Sequence, residues 1–101
     1  MTAQEVRLPP EITFCDDSVI GWQNRRCWFS PQTYRLLQEL YSAEDKTLSK
    51  EDVRQDVIFD DEVDEGALRQ CIAQARKEIR AGKIPLRTET ITRRGYRLVT
   101  E

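Results

Sequence analysis

Three short β-prone runs open the patterned part of the chain: EITFC (11–15), SVIGW (18–22) and RCWF (26–29). Asp16-Asp17 and Gln23-Asn24 separate them. Runs this short, bounded by turn formers, predict a small antiparallel sheet. The hydrophobic period then changes to three and four. Tyr34, Leu37, Leu40 and Tyr41 predict a helix over about 31–42, and Val53, Val57 and Ile58 a second over about 50–59. Leu68, Ile72, Ala75 and Ile79 predict a third over about 65–81. Each start carries a local signal: Ser30 followed by Pro31, Ser49 with Asp52 as a capping-box partner, and Asp64. A hydrophobe precedes each cap (Phe29, Leu48, Val63) and another sits inside the helix (Tyr34, Val53, Leu68), the spacing of a hydrophobic staple. Gly82 offers a positive-φ stop after the third helix.

Beyond it, LRTETIT and YRLV flank Arg93-Arg94-Gly95 and predict a β-hairpin with two arginines at its tip. The glycine there allows the positive φ that a tight turn usually requires. The order β-β-β-α-α-α-β-β makes an α+β domain over residues 11–101, and residues 1–10, with Pro9-Pro10, read as a loose lead-in.

Length confines the chain to one core: 101 residues suffice for one domain and not two. At 39% apolar it is globular, and no apolar run approaches the roughly 20 residues of a membrane span. No signal peptide opens the sequence. Cys15, Cys27 and Cys71 are an odd number without CxxC spacing, and there is no histidine. No metal site or cofactor is implied, and free thiols in a reducing cytoplasm are expected. A disulfide between Cys15 and Cys27 requires them to face each other on neighbouring strands. Catalysis finds no support either: histidine and a Gly-rich phosphate loop are missing, and nothing marks any carboxylate or thiol as activated.

Charge changes the picture through its distribution. The total of 16 basic and 18 acidic residues gives only −2. Residues 1–45 carry four Arg against seven acids, and residues 46–65 carry three basic groups against eight acids. Residues 66–101 carry nine Lys/Arg against three Glu, a local balance of +6. One part of the molecule therefore suits a polyanion, unless the charges only solvate a small domain.

The third helix points the same way. At about 100° per residue, its core stripe lies within about 40° of Leu68. Gly66, Gln70, Ala73 and Lys77 point away from that stripe, with Gln74 beside them, while Arg69, Arg76 and Arg80 line one flank. Amides flanked by cations suit the major groove, where Gln pairs with adenine and Arg or Lys grips phosphate or guanine. The same composition also suits plain solvent exposure. A following hairpin with Arg93 and Arg94 at its tip supplies an independent phosphate-gripping element.

At this point the residues carry a resemblance. FSPQTYRLLQELY resembles the first helix of the OmpR/PhoB-type winged-helix DNA-binding domain, and LSKEDVRQDVI its second helix. DEGALRQCIAQARKEI resembles its recognition helix, and ITRRGYRLV its wing, with the Gly-Tyr-Arg-hydrophobe ending. The likeness spans residues 11–99 and is nearest to the ToxR/CadC/HilA group. It implies a winged helix-turn-helix with a small N-terminal antiparallel sheet, three helices and a C-terminal β-hairpin wing. It implies base reading by Gln70 and Gln74 and backbone contacts by Arg76 and Lys77. Ala73 would lie close to the DNA, Arg69 and Arg80 would flank the groove, and Thr90, Thr92, Arg93 and Arg94 would sit in a wing entering the adjacent minor groove.

Tyr96 is expected to pack under the wing, and Arg97 either braces the hairpin or reaches a phosphate. The chain departs from the pattern at Ala73 and Gln74, where many members carry Arg, at Thr92-Arg93 in place of Arg-Gly, and at Ala75 in place of Leu. Fewer arginines imply weaker intrinsic affinity and a need for dimerisation or a second protein.

The function so implied is a sequence-specific DNA-binding domain of a bacterial transcription regulator. It is cytoplasmic, or the cytoplasmic part of a longer membrane-anchored protein. The alternative is a winged helix that binds a protein partner without DNA specificity. Asp60, Asp61, Glu62, Asp64 and Glu65 serve either as helix capping and a solvated loop or, by the family's precedent, as a contact for RNA polymerase.

Overall fold

A computed structural model describes residues 12–23 and 25–100. The predicted lead-in at residues 1–10 lies outside these.

The three β-prone runs form β1 (Ile12–Cys15), β2 (Val19–Trp22) and β3 (Arg25–Trp28), an antiparallel meander in that order. Register places Phe14 opposite Ile20 and Ile20 opposite Cys27, so one face carries Ile12, Phe14, Ile20, Trp22 and Cys27 toward the core. Cys15 pairs with Val19 on the other face, and β2 separates β1 from β3. Cys15 and Cys27 therefore do not face one another, and all three thiols are free. Burial pushes the Cys71 thiol up to about 11, so it packs as a small neutral hydrophobe.

The helix α1 (Pro31–Ser42) begins where Ser30 and Pro31 predict. Its buried stripe is Thr33, Leu36, Leu37 and Leu40. Tyr34 and Tyr41, expected inside, are only partly buried and close on Phe14 with ring centroids 5.6 and 5.4 Å away. The stripe is thus rotated toward Thr33 and Leu36, and both tyrosine rings pack against Phe14 of β1. After α1 the chain makes a 3-10 turn (Glu44–Lys46), then a strand absent from the sequence reading, β4 (Thr47–Ser49).

Helix α2 (Lys50–Val53) starts on a complete capping box. Ser49 Oγ accepts from the Asp52 N–H at 3.0 Å, and Asp52 accepts from the Ser49 N–H at 3.3 Å. It then widens into a π-type turn over Arg54–Ile58, closed by Phe59 at φ 62°. Helix α3 (Glu65–Gly82) is capped by Asp64, which accepts from the Ala67 N–H at 2.9 Å.

Its other end differs from expectation. Gly82 stays helical, and Lys83 takes the left-handed turn at φ 55°. Gly82 is instead a packing position: a Cβ there would lie 3.3 Å from Cys27 Sγ. Arg25 donates to the Gly82 carbonyl at 2.6 Å and the Lys83 carbonyl at 3.4 Å, placing a cation on the helix's negative end.

The predicted hairpin is present as β5 (Leu86–Ile91) and β6 (Gly95–Thr100), and β4 joins it in the order β4-β6-β5. Ile20, Leu36, Leu37, Leu40, Val53 and Leu68 are wholly excluded from water, each worth roughly 1.5–3 kcal/mol of burial. They tie the meander and three helices into one core, which leaves α3 and the hairpin as adjacent surface features. No helix among the described residues is long and apolar enough to cross a membrane.

Candidate nucleic-acid interface

The surface of α3 is set by its period. With Leu68, Cys71, Ile72, Ala75 and Ile79 buried, Arg69, Gln70, Ala73, Gln74, Lys77 and Arg80 are exposed. Gln70, Ala73, Gln74 and Lys77 line an open groove that Gln32 at the start of α1 and Ile58 at the end of α2 complete. Gln70 makes no side-chain hydrogen bond among the described residues. Gln74 donates from Nε2 to Glu78 Oε2 at 2.8 Å. Arg80 lies apart from these, in a second groove between α3 and β5 that Arg76, Lys83 and Arg87 also line.

Arg76 is placed differently from its neighbours. It is half-buried, and Nε donates to Thr88 Oγ1 at 2.9 Å. One terminal nitrogen donates to the Thr88 carbonyl at 3.1 Å and to Thr90 Oγ1 at 3.2 Å. Its guanidinium is thus committed to β5, the first strand of the hairpin, which it fastens to α3. Thr90, although exposed, is one of its partners.

The hairpin tip is Thr92, Arg93 and Arg94, all exposed. Arg93 holds the positive φ of the turn, at 65°, and the Arg94 N–H closes it on the Ile91 carbonyl at 2.9 Å. Gly95 takes a positive φ as expected, at 159°, although the left-handed turn position itself is Arg93, and Gly95 has a second requirement, space. A Cβ at Gly95 would stand 2.0 Å from the Leu48 carbonyl oxygen and 2.8 Å from Ser49 Cα. The wing crosses β4 there so closely that only glycine fits. Among the described residues no carboxylate pairs with Arg93 or Arg94.

Supports of the wing account for several residues that sequence reasoning missed. The Lys50 N–H donates to the Arg94 carbonyl at 3.3 Å, and Lys50 Nζ pairs with Glu65 at 2.7 Å. The Lys50 hydrogen bond holds the Glu65 carboxyl below its usual range, with Arg69 and Arg54 adding to the effect. Tyr96 is buried under the hairpin, as expected, and burial raises its phenol. Arg97 reaches Glu89 across the hairpin at 3.4 Å, so it braces the wing.

Glu78 is the other missed residue. Its carboxylate accepts from the Ser30 N–H at 2.8 Å, Ser30 Oγ at 2.7 Å and Thr33 Oγ1 at 2.9 Å, besides Gln74. Partial burial works to raise this carboxyl, and the hydrogen bonds it accepts outweigh that and leave it lowered. Ser30 stands at the N-cap position without the predicted side-chain cap: its hydroxyl donates to Glu78 and lies 3.0 Å from Thr33 Oγ1, and no backbone N–H of α1 donates to it. The available signals were polar residues at inward positions, Thr33 in the α1 stripe and Thr88 in the β5 alternation.

Residues 24–98 match the family model described as "Transcriptional regulatory protein, C terminal". Among solved structures, the C-terminal domain of the nisin resistance regulator NsrR, a lantibiotic response regulator, aligns at TM-score 0.64 and 22% identity. That alignment covers 84% of this chain and 88% of NsrR's. The DNA-binding domain of E. coli CadC aligns at TM-score 0.69 and 20% identity, covering 91% of this chain and 94% of its own. At such identities the likeness is one of fold. No curated protein matches the chain.

Proposed function

Since the chain belongs to the family of transcriptional regulatory protein C-terminal domains, the OmpR/PhoB type, we propose that it reads duplex DNA with α3 in the major groove and the β5–β6 wing in the adjacent minor groove. The chain is a DNA-binding transcription-regulator domain; the roles of its residues are the proposal. Gln70 and Gln74 meet base edges, with Ala73 letting the backbone come close. Arg69, Lys77 and Arg80 meet phosphates along the groove walls. Arg93 and Arg94, with Thr92, anchor the wing, while Arg76 and Thr90 hold it at its angle to α3. The domain occupies residues 11–101 and works in the cytoplasm. Binding as a homodimer and a membrane anchor in a longer parent protein are part of the same proposal. The length of the DNase footprint and the downstream coding sequence test these two.

The observation that carries this reading is the exposed tip. Two guanidiniums that pair with no carboxylate among the described residues stand on a narrow turn beside a helix face of amides. The double substitution Arg93→Glu, Arg94→Glu tests it by titration of labelled duplex. Most DNA affinity is expected to vanish while thermal unfolding stays close to wild type. Unchanged binding sinks the wing assignment. A winged helix that binds a protein partner without DNA specificity, the alternative left by the sequence, finds no support in the family.

The α2–α3 loop supports a second partner. Phe59 is 69% exposed beside the acidic residues Asp60, Asp61 and Glu62. Asp60 and Asp64 are occupied in capping their own backbone, which leaves Asp61 and Glu62 for another surface. We propose RNA polymerase as that surface. Asp61→Lys with Glu62→Lys is expected to lower transcription in a reconstituted assay without altering DNA affinity, and equal transcription refutes the contact.

A further inference from the structure

The two outward amides of α3 differ in one respect. Gln70 makes no side-chain hydrogen bond among the described residues, so nothing there sets the order in which its amide offers a base oxygen and nitrogen. Gln74 Nε2 lies 2.8 Å from Glu78 Oε2. An ionised carboxylate only accepts, so the group facing it must be the amide nitrogen and never Oε1. The carboxylate is itself immobile. Ser30 N–H and Oγ and Thr33 Oγ1, all at the start of α1, donate to it at 2.7 to 2.9 Å. These donors fix Glu78 independently of Gln74. They also keep it ionised, since they outweigh the partial burial that works to raise it.

We propose that Glu78 is a positioning residue that sets the polarity of Gln74, so that this amide distinguishes a base pair from its reversal. The inference rests on the reading of Gln74 as a base contact. With one Nε2 proton held by Glu78, the other and Oε1 remain for DNA in a fixed order along the groove. Adenine presents N6–H and N7, a donor and an acceptor, in an order that reverses when the pair is reversed. Guanine presents two acceptors, one of which would face Oε1. A fixed amide therefore matches one orientation of one pair, while an amide whose order nothing sets tolerates both. The meaning of Gln74 is thereby set from outside α3, by the start of α1.

The experiment compares wild type, Gln74→Ala, Glu78→Gln and the double variant, using sites selected from a random duplex pool and affinities on all four pairs at each position. Gln74→Ala identifies the position read, with an expected loss of roughly 5- to 150-fold discrimination there. Glu78→Gln keeps shape and volume but can donate as well as accept. It is expected to bring the matched pair and its reversal toward equal affinity at that position only. Salt dependence on random duplex and the ranking at the Gln70 position should stay unchanged. In the Gln74→Ala background Glu78→Gln should add nothing.

Wild-type ranking retained by Glu78→Gln, when Gln74→Ala has changed it, overturns the proposal. So does an equal effect of Glu78→Gln with and without Gln74, which marks a general shift of the helix. If Gln74→Ala leaves every ranking intact, the base-reading role itself falls and the proposal with it. Should Glu78→Gln unfold, wild type still decides by NMR. One Gln74 Nε2 proton should be shifted downfield and slowed in exchange relative to those of Gln70, and equal behaviour of the two amides overturns the proposal.

Discussion

At the scale of single residues, the deciding property is where a long side chain spends its donors. Arg76 and Lys77 are adjacent in sequence and share a charge, yet Lys77 is exposed and Arg76 donates three times into β5. Hydrogen bonds to a charged group contribute about 1.5–3 kcal/mol. Thr88, 3% exposed, has little access to solvent if that donor goes. Arg76→Met is therefore expected to cost roughly 1.5–3 kcal/mol in urea unfolding. The amides of β5 should lose hydrogen-exchange protection in the same variant. If DNA affinity falls while stability is untouched, Arg76 is a DNA contact and not the brace. The helical wheel placed Arg76 correctly on a flank of α3. Its commitment was hidden because it depends on how β5 docks, which no periodicity within α3 encodes.

At the scale of elements, what could be read locally was read. The caps at Ser49 and Asp64 act within four residues, and both starts stand where they were expected. The alternation in residues 11–29 likewise fixed the meander, whose strands are neighbours in sequence and in space. Nonlocal pairing escaped. Thr47–Ser49 is three residues long, too short for a period, and its only ladder is with β6, far along the chain. Missing β4 also hid a second requirement on Gly95, space beside Leu48.

Gly95→Ala is a direct check on that close crossing. The added methyl meets backbone atoms that cannot turn aside, so a loss of about 3 kcal/mol or more is expected by thermal or urea unfolding. Gly66→Ala provides the contrast, because its Cβ would meet only Asp64 Oδ1 at 3.4 Å. It should be neutral or gain up to about 1 kcal/mol from helix propensity. A Gly95→Ala protein as stable as wild type contradicts the close crossing of wing and β4.

At the scale of the whole molecule, a net charge of −2 and a polyanionic partner are compatible because the two signs are segregated. Acids gather in the α2–α3 loop, while five exposed cations, Arg69, Lys77, Arg80, Arg93 and Arg94, belong to α3 and the wing. Affinity should therefore respond to the local surface and not to the total. Its logarithm is expected to fall with the logarithm of salt at a slope near −0.9 per phosphate contacted. Replacing one of these arginines by Ala should flatten the slope by about one unit. Replacing Arg97, already paired with Glu89, should leave it nearly unchanged. Equal slopes for all variants dismiss this partition of the cations.

The position of β6 at the centre of the β4-β6-β5 sheet has a consequence for synthesis. Among the described elements it is the last to leave the ribosome, yet both β4 and β5 depend on it for their pairing. A growing chain can finish the meander and wind its helices, but Leu48, Thr90 and the crossing at Gly95 find their partners only when the final strand emerges. Helix α3 is made before the hairpin beside it, and that sheet is complete only once β6 has been translated.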